Sequence, residues 1–510
     1  MMNRALGCLA VAVWMMLSVS AWASCTGSGT SWSCPAGASV SDVQTAVSSA
    51  TDGATITLSN GSYSWTGSGP VHLQNSKGVT IICATVHGCT IVSSGLIFDM
   101  PVWSGTITSL YRISGFNLVQ NGAGQFTIWF CSGGGCSGTL TQVRVDNNDV
   151  TGATGSFLLV LGESKSLTNI YGVMDHNSFH APGSIEILYM LGDTNPSPPV
   201  PSQGTGNNFF VEDNTVTVAT MTNAGLGCMD GWSSTMRVVW RHNITTNCLV
   251  TAHGVTHAGG PDNVELYNNQ MIVGPGAVSQ GFADCYRCFH HQGSGMLVAF
   301  NNSFTGFSGK SGGALQLLHY RDYNGSIDGM LPYCDGTQSR DGNRSPVTTN
   351  HGYPCWHQPG RDTNGRYKPL YAWNNYWSDT LAQLTLTSPD GAYGNPDYQP
   401  QHVQEGREFY NAVSASAQNS PSSPFDGTIG MGFGSLANRP TSCMTNSTEN
   451  GAGVGYFATD DGAQGTLYTC SATNTWTVYY TPYVYPHPLA SGGTGTGDVQ
   501  PPQNLQAIVN

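Results

Sequence analysis

One motif recurs through the middle of this chain: two apolar residues in alternation, a polar pair ending in asparagine, then another apolar residue. It reads Val143-Arg-Val-Asp-Asn-Asn148-Asp-Val150, Met174-Asp-His-Asn177-Ser-Phe179, Val211-Glu-Asp-Asn214-Thr-Val216 and Trp240-Arg-His-Asn243-Ile-Thr245. It continues as Leu266-Tyr-Asn-Asn269-Gln-Met271, Ala299-Phe-Asn-Asn302-Ser-Phe304 and Ala372-Trp-Asn-Asn375-Tyr-Trp377. From Asn148 to Asn302 the spacings are 29, 37, 29, 26 and 33 residues. Strand-like alternation at this period, with no helical pattern, specifies a solenoid whose coils bury their inward residues against one another. Asparagine suits the stacked turn, because its amide can bond to the next rung and its backbone accepts left-handed dihedrals. A β-sandwich would instead show turn signals roughly every 8–12 residues and no single-residue register. The expected fold class is all-β, a right-handed parallel β-helix. The stretch around Asn117 (Ile113-Ser-Gly-Phe-Asn117) does not fit the register cleanly.

The start of the domain reads as a cap. Ser41 to Ala50 predicts a short amphipathic helix with Val43, Ala46, Val47 and Ala50 on one face. Asp52-Gly53 breaks it; Ala54 to Leu58 then reads as a strand, followed by a turn at Asn60-Gly61 and a further strand. From about Ser41 to about Asn375 this pattern resembles the pectate-lyase-like superfamily of secreted β-helix proteins. The resemblance implies the fold and an N-terminal helical cap. It leaves the activity open, because the superfamily includes lyases, hydrolases, esterases, tailspikes and adhesins.

Two insertions interrupt the repeat. Asn302 and Asn375 lie 73 residues apart, room for about two coils or for one coil plus a large loop over about 305–368. A second insertion, about 427–489, carries Gly455-Tyr-Phe-Ala and Leu467-Tyr-Thr-Cys and reads as an extra β-hairpin unit. Residues 24–490 thus form one β-helix domain. Residues 491–510 read as a Gly/Thr linker and the start of a fibronectin type III-like module.

The first 23 residues fit a signal peptide: Arg4, an apolar run from Leu6 to Val19, and Ala21-Trp-Ala23 before a cleavage site. No later run is long enough to span a membrane, so the mature chain is expected to be secreted and monomeric. Fourteen of the 15 cysteines follow that segment, and an even number in an exported chain favours disulfides. Spacing suggests Cys25–Cys34, Cys83–Cys89, Cys131–Cys136, Cys228–Cys248, Cys285–Cys288, Cys334–Cys355 and Cys443–Cys470. Cys285 and Cys288 with His290 would alternatively make a zinc site. A net charge of −13 with only four lysines excludes the basic stripe that a nucleic-acid partner requires.

With the asparagines in register, the residue two before each one forms a column that is expected to face outward: Asp146, Asp175, Glu212, Arg241, Tyr267, Phe300, Trp373. Carboxylates stacked at a rung spacing of about 4.8 Å repel by about a kcal/mol or more, so Asp146, Asp175 and Glu212 are expected to hold a hard cation, Ca²⁺. Tyr267, Phe300 and Trp373 would stack on sugar rings. Histidines cluster as His242, His253, His257, His290, His291 and His319, near Asp230, Arg287 and Arg321. The catalytic candidates are Arg241, His253, Arg321 and Asp230, since proton abstraction beside a sugar carboxylate needs a base near positive charge. No phosphate-binding loop, His-Glu-x-x-His or nucleophile elbow is present in the sequence.

Three functions follow from these readings, each with an acidic or neutral polysaccharide as partner. The first is a lyase cleaving a uronic-acid polymer by β-elimination. The second is a non-enzymatic glycan-binding adhesin or structural rod. The third is a glycoside hydrolase with Asp175 and Glu212 as its carboxyl pair.

Overall fold

In the computed structural model the described residues lie within 24–491, apart from 123–126, 153–156, 163–166, 184, 192–201, 221–227, 233–235, 249, 253–260, 275–288, 294, 307–314, 320–333, 338, 343–351, 363, 381–382, 388–398 and 413–421. Among them, three long sheets of 14, 11 and 10 strands run the length of the molecule, here named A, B and C. Each coil passes from A to B to C and back to A. One coil reads Phe209–Glu212 in A, Thr215–Val218 in B and Met229–Trp232 in C, and the next opens at Arg237–Arg241 in A. Parallel pairing in strict register builds an interior column: Ile113 beside Val145, Val145 beside Met174, Met174 beside Val211, and Val211 beside Trp240. All belong to one continuous apolar core. The chain is therefore a parallel β-helix, as the repeat predicts.

The asparagine ladder is continuous. The side-chain oxygen of Asn177 accepts from both the backbone N–H and the amide of Asn148, each at 3.0 Å. The same pair of hydrogen bonds joins Asn177 to Asn214, Asn214 to Asn243, Asn243 to Asn269, Asn269 to Asn302, and Asn302 to Asn375. That last link decides the spacing of 73 residues: one coil plus a large loop. One detail of the expectation is corrected, since the left-handed residue is the one before the ladder asparagine. Asn147, His176, Asp213, His242, Asn268, Asn301 and Asn374 all have φ between 50° and 58°, and Asn, Asp and His are the side chains that tolerate this region best. The misfit near Asn117 follows from the same geometry. Gly115 takes the left-handed position there, and Phe116 donates its N–H to Asn148 at 3.1 Å.

The cap helix runs Val40–Ser49, one residue earlier than expected, because Ser39 and Asp42 close a capping box around its first turn. Its buried face, Val43, Ala46 and Val47, covers the open end of the core. Six of the seven disulfides suggested by spacing are formed, from Cys25–Cys34 to Cys443–Cys470; Cys285 and Cys288 lie outside the described residues. The segment 431–480 forms a separate four-stranded sheet. Gly455–Ala458, Thr466–Ala472 and Thr475–Tyr480 pair antiparallel, and Met431–Gly434 pairs parallel on the other side. This unit lies against the outer face of sheet A. There Phe457, Leu467 and Tyr480 join Val173, Phe210, Val239 and Val298 in a second apolar core.

Candidate functional site

The predicted column exists, and its register is as read. Asp146, Asp175, Glu212, Arg241, Tyr267, Phe300 and Trp373 are successive lateral neighbours on sheet A. Its setting is not: every member is buried, with at most 2% of its surface exposed. The C-terminal unit and the segment after it cover the column, so sheet A is buried on both faces there instead of carrying one wetted face.

On this covered face each carboxylate meets a guanidinium. Arg112 donates to both oxygens of Asp146 at 2.7 and 2.6 Å, and Ser114 adds a third bond. Arg144 grips Asp175 at 3.0 and 2.8 Å, and Arg241 reaches Glu212 at 2.6 Å. Burial opposes ionisation of Asp175, but the bonds from His176 and Arg144 outweigh it and hold its pKa below the ordinary carboxylate value. A calcium site needs six to eight free oxygen donors. These oxygens are already taken by cations on the same face, so the three carboxylates do not fit the expected Ca²⁺.

Arg241 is an anchor for the segment that follows the four-stranded unit. It donates to the carbonyls of Tyr483 and Val484 at 2.8 and 3.0 Å and to the hydroxyl of Tyr267 at 2.8 Å. Next to it, the His487 N–H bonds Glu212, the Tyr485 hydroxyl bonds Asp213, and the Tyr485 ring stacks on His242 at 3.8 Å. Burial and the nearby Arg241 push His242 down to about 3. The aromatic part of the column is filled as well. Tyr267, Phe300 and Trp373 stack face to face at 4.6 and 4.3 Å, with Phe457 4.7 Å from Trp373. The expectations of an exposed catalytic Arg241 and of a sugar platform are both corrected: these groups bind strands of the same chain. Asp175 and Glu212 likewise lose the role of a hydrolytic pair. His253 and Arg321 lie outside the described residues.

The remaining candidate, Asp230, sits on sheet C. Leu188 and Met229 are lateral neighbours in the core, so Tyr189 and Asp230, the next pair along, face outward. Val160 and Trp129 continue this outward column on one side of Tyr189. On the other side, Met229 pairs with Val250, which puts Thr251 beside Asp230, with His290 and Gln316 following. The histidine cluster is thereby split: His290 faces outward, whereas His291 lies between Ala252 and Leu317 in the interior.

Glu186 begins the strand that holds Tyr189. It is 1% exposed, and one of its carboxyl oxygens has no hydrogen-bond partner. Burial, reinforced by the charge of Asp230, pushes it up to about 9. Tyr189 is raised by burial and by the same two carboxyls. At neutral pH Glu186 is therefore a protonated acid under the influence of a second carboxyl, the kind of perturbed group that clusters at functional sites. Sequence reasoning missed Glu186 and Tyr189. The available signal was a single carboxyl inside the apolar run Ile185 to Leu191.

No protein-family model matches the sequence, and no match is found among curated proteins.

Proposed function

We propose that the chain is an extracellular polysaccharide-cleaving β-helix enzyme of the pectate-lyase-like kind, with its chemistry at sheet C. Glu186 donates a proton to the departing sugar oxygen, and Asp230 acts as the base or nucleophile. The observation that carries this reading is the Glu186 carboxyl, buried, short of one partner and pushed up to about 9 by burial and by the charge of Asp230. Paired carboxyls with unlike environments are the usual means of acid–base cleavage of a glycosidic bond. This favours hydrolysis over the β-elimination expected from the sequence, because Arg241, the described one of the expected bases, is spent in an ion pair on another sheet. Six disulfides are consistent with an oxidising compartment. No described helix is long and apolar enough to cross a membrane.

The test is incubation of the mature chain with acidic and neutral polysaccharides, with and without EDTA. New reducing ends that disappear in Glu186→Gln and Asp230→Asn support hydrolysis. Ultraviolet absorbance from unsaturated uronates would instead establish a lyase, and binding without cleavage would establish the glycan-binding rod.

A further inference from the structure

The end of the solenoid brings three metal-ligating side chains together, far along the axis from Glu186. His319 follows the sheet C strand Leu315–Leu318, Cys355 lies in the long loop, and His402 ends the short helix Gln399–His402. One ligand atom from each lies within 4.8 Å of the other two, and all three residues are buried. Cys355 Sγ is 3.4 Å from His402 Nδ1. In a tetrahedral zinc centre, Zn–S of about 2.3 Å and Zn–N of about 2.0–2.1 Å place those two atoms about 3.6 Å apart. The observed edge is already close to that value.

Side chains hold the backbone that carries these ligands. Gln358 accepts the Cys355 N–H at 2.8 Å and donates to the His402 carbonyl at 2.9 Å, while Arg407 bonds the same carbonyl at 3.0 Å. Tyr353 stacks on the His402 ring with centroids 6.3 Å apart. These bonds fix the backbone positions from which Cys355 and His402 project. In the structure, however, Cys355 is bonded to Cys334, and a disulfide sulfur is not a thiolate ligand.

We infer that Cys355 has two alternative partners: Cys334 when the bridge is closed, and a borderline divalent cation, Zn²⁺ or Co²⁺, held with His319 and His402 when it is open. Opening takes one dithiol, which is oxidised to its disulfide as Cys334 and Cys355 each gain a hydrogen. Metal uptake then releases the Cys355 thiol proton to solvent, with neutral imidazoles as the other two ligands. Three protein ligands leave a fourth position for water.

Cys334→Ser opens the bridge without a reductant, so the other disulfides stay closed. The full mature variant, titrated with Co²⁺, should bind one equivalent and develop a thiolate-to-cobalt charge-transfer band, whereas the wild-type chain develops none. His319→Ala or His402→Ala added to that variant should weaken uptake more than tenfold. If Cys334→Ser folds only with metal, Zn²⁺ during refolding should restore its sheet circular dichroism. The inference is overturned if the folded variant binds no Co²⁺, if Cys334→Ser/Cys355→Ser binds it equally, or if Zn²⁺ rescues nothing.

Discussion

On the outer face of sheet A each carboxylate of the Asp146, Asp175 and Glu212 column has a guanidinium against it. On sheet C, Glu186 has none among the described residues, and its nearest charged influence is another carboxyl. Both sets sit on parallel ladders, and both are buried. What separates them is compensation. Removing two charges from water costs several kcal/mol per ion unless close partners offset it. Sheet A supplies the partners, although burial still raises Glu212 to about 7 against Arg241, and uses the result to seat residues 483–487, whereas sheet C leaves its acid protonated. The first arrangement is one of architecture, and the second is one of chemistry.

A large effect is expected from this contrast at Arg241. Arg241→Ala would leave Glu212 buried without its cation and free the Tyr483 and Val484 carbonyls, a loss of about 3–5 kcal/mol. Chemical denaturation measures it, and an unfolding midpoint equal to wild type would refute the anchoring role. A smaller loss is expected at the centre of the ladder. Asn243→Ala removes the side-chain bonds to Asn214, Asn269, Val211 and Arg241, leaving buried backbone groups unpaired at a cost of about 2–3 kcal/mol. An Asn243→Ala chain as stable as wild type would show that interior packing alone sets the coil register.

For Glu186 the signature is a slope in pH. Its folded pKa, about 9, lies above the unfolded value near 4.3, so the folded chain keeps a proton that the unfolded chain releases. Stability is therefore unaffected below about pH 4 and falls between about pH 4 and 9, by on the order of 1.4 kcal/mol per pH unit at most. Glu186→Gln should flatten that slope and abolish cleavage. A slope unchanged in the variant would mean that Glu186 ionises normally in the fold. The smallest effect belongs to the His180–Asp149 contact at 3.5 Å, whose side chains are 52% and 39% exposed. His180→Ala should shift stability by less than about 0.5 kcal/mol, and a larger loss would show that ladder-edge charges matter on sheet B as well.

The sequence by itself determined what depends on local, repeated interactions. Stacked Asn148 to Asn375 and alternating inward residues carry their own register, because each contact is made with the equivalent residue of the next coil. The capping-box helix and the close cysteine pairs are legible for the same reason. Which columns face water is a different matter. Burial of Asp146 to Trp373 was decided by residues 431–491, which lie as much as 345 positions away in sequence from the residues they cover. A period of two cannot distinguish an outward side chain in solvent from one under a second layer. Glu186 stayed hidden because its chemistry comes from tertiary burial and from Asp230, 44 residues further on and one coil away. Register is a property of the repeat, but solvation belongs to the assembled fold, and it is solvation that sets the pKa on which the proposed chemistry rests.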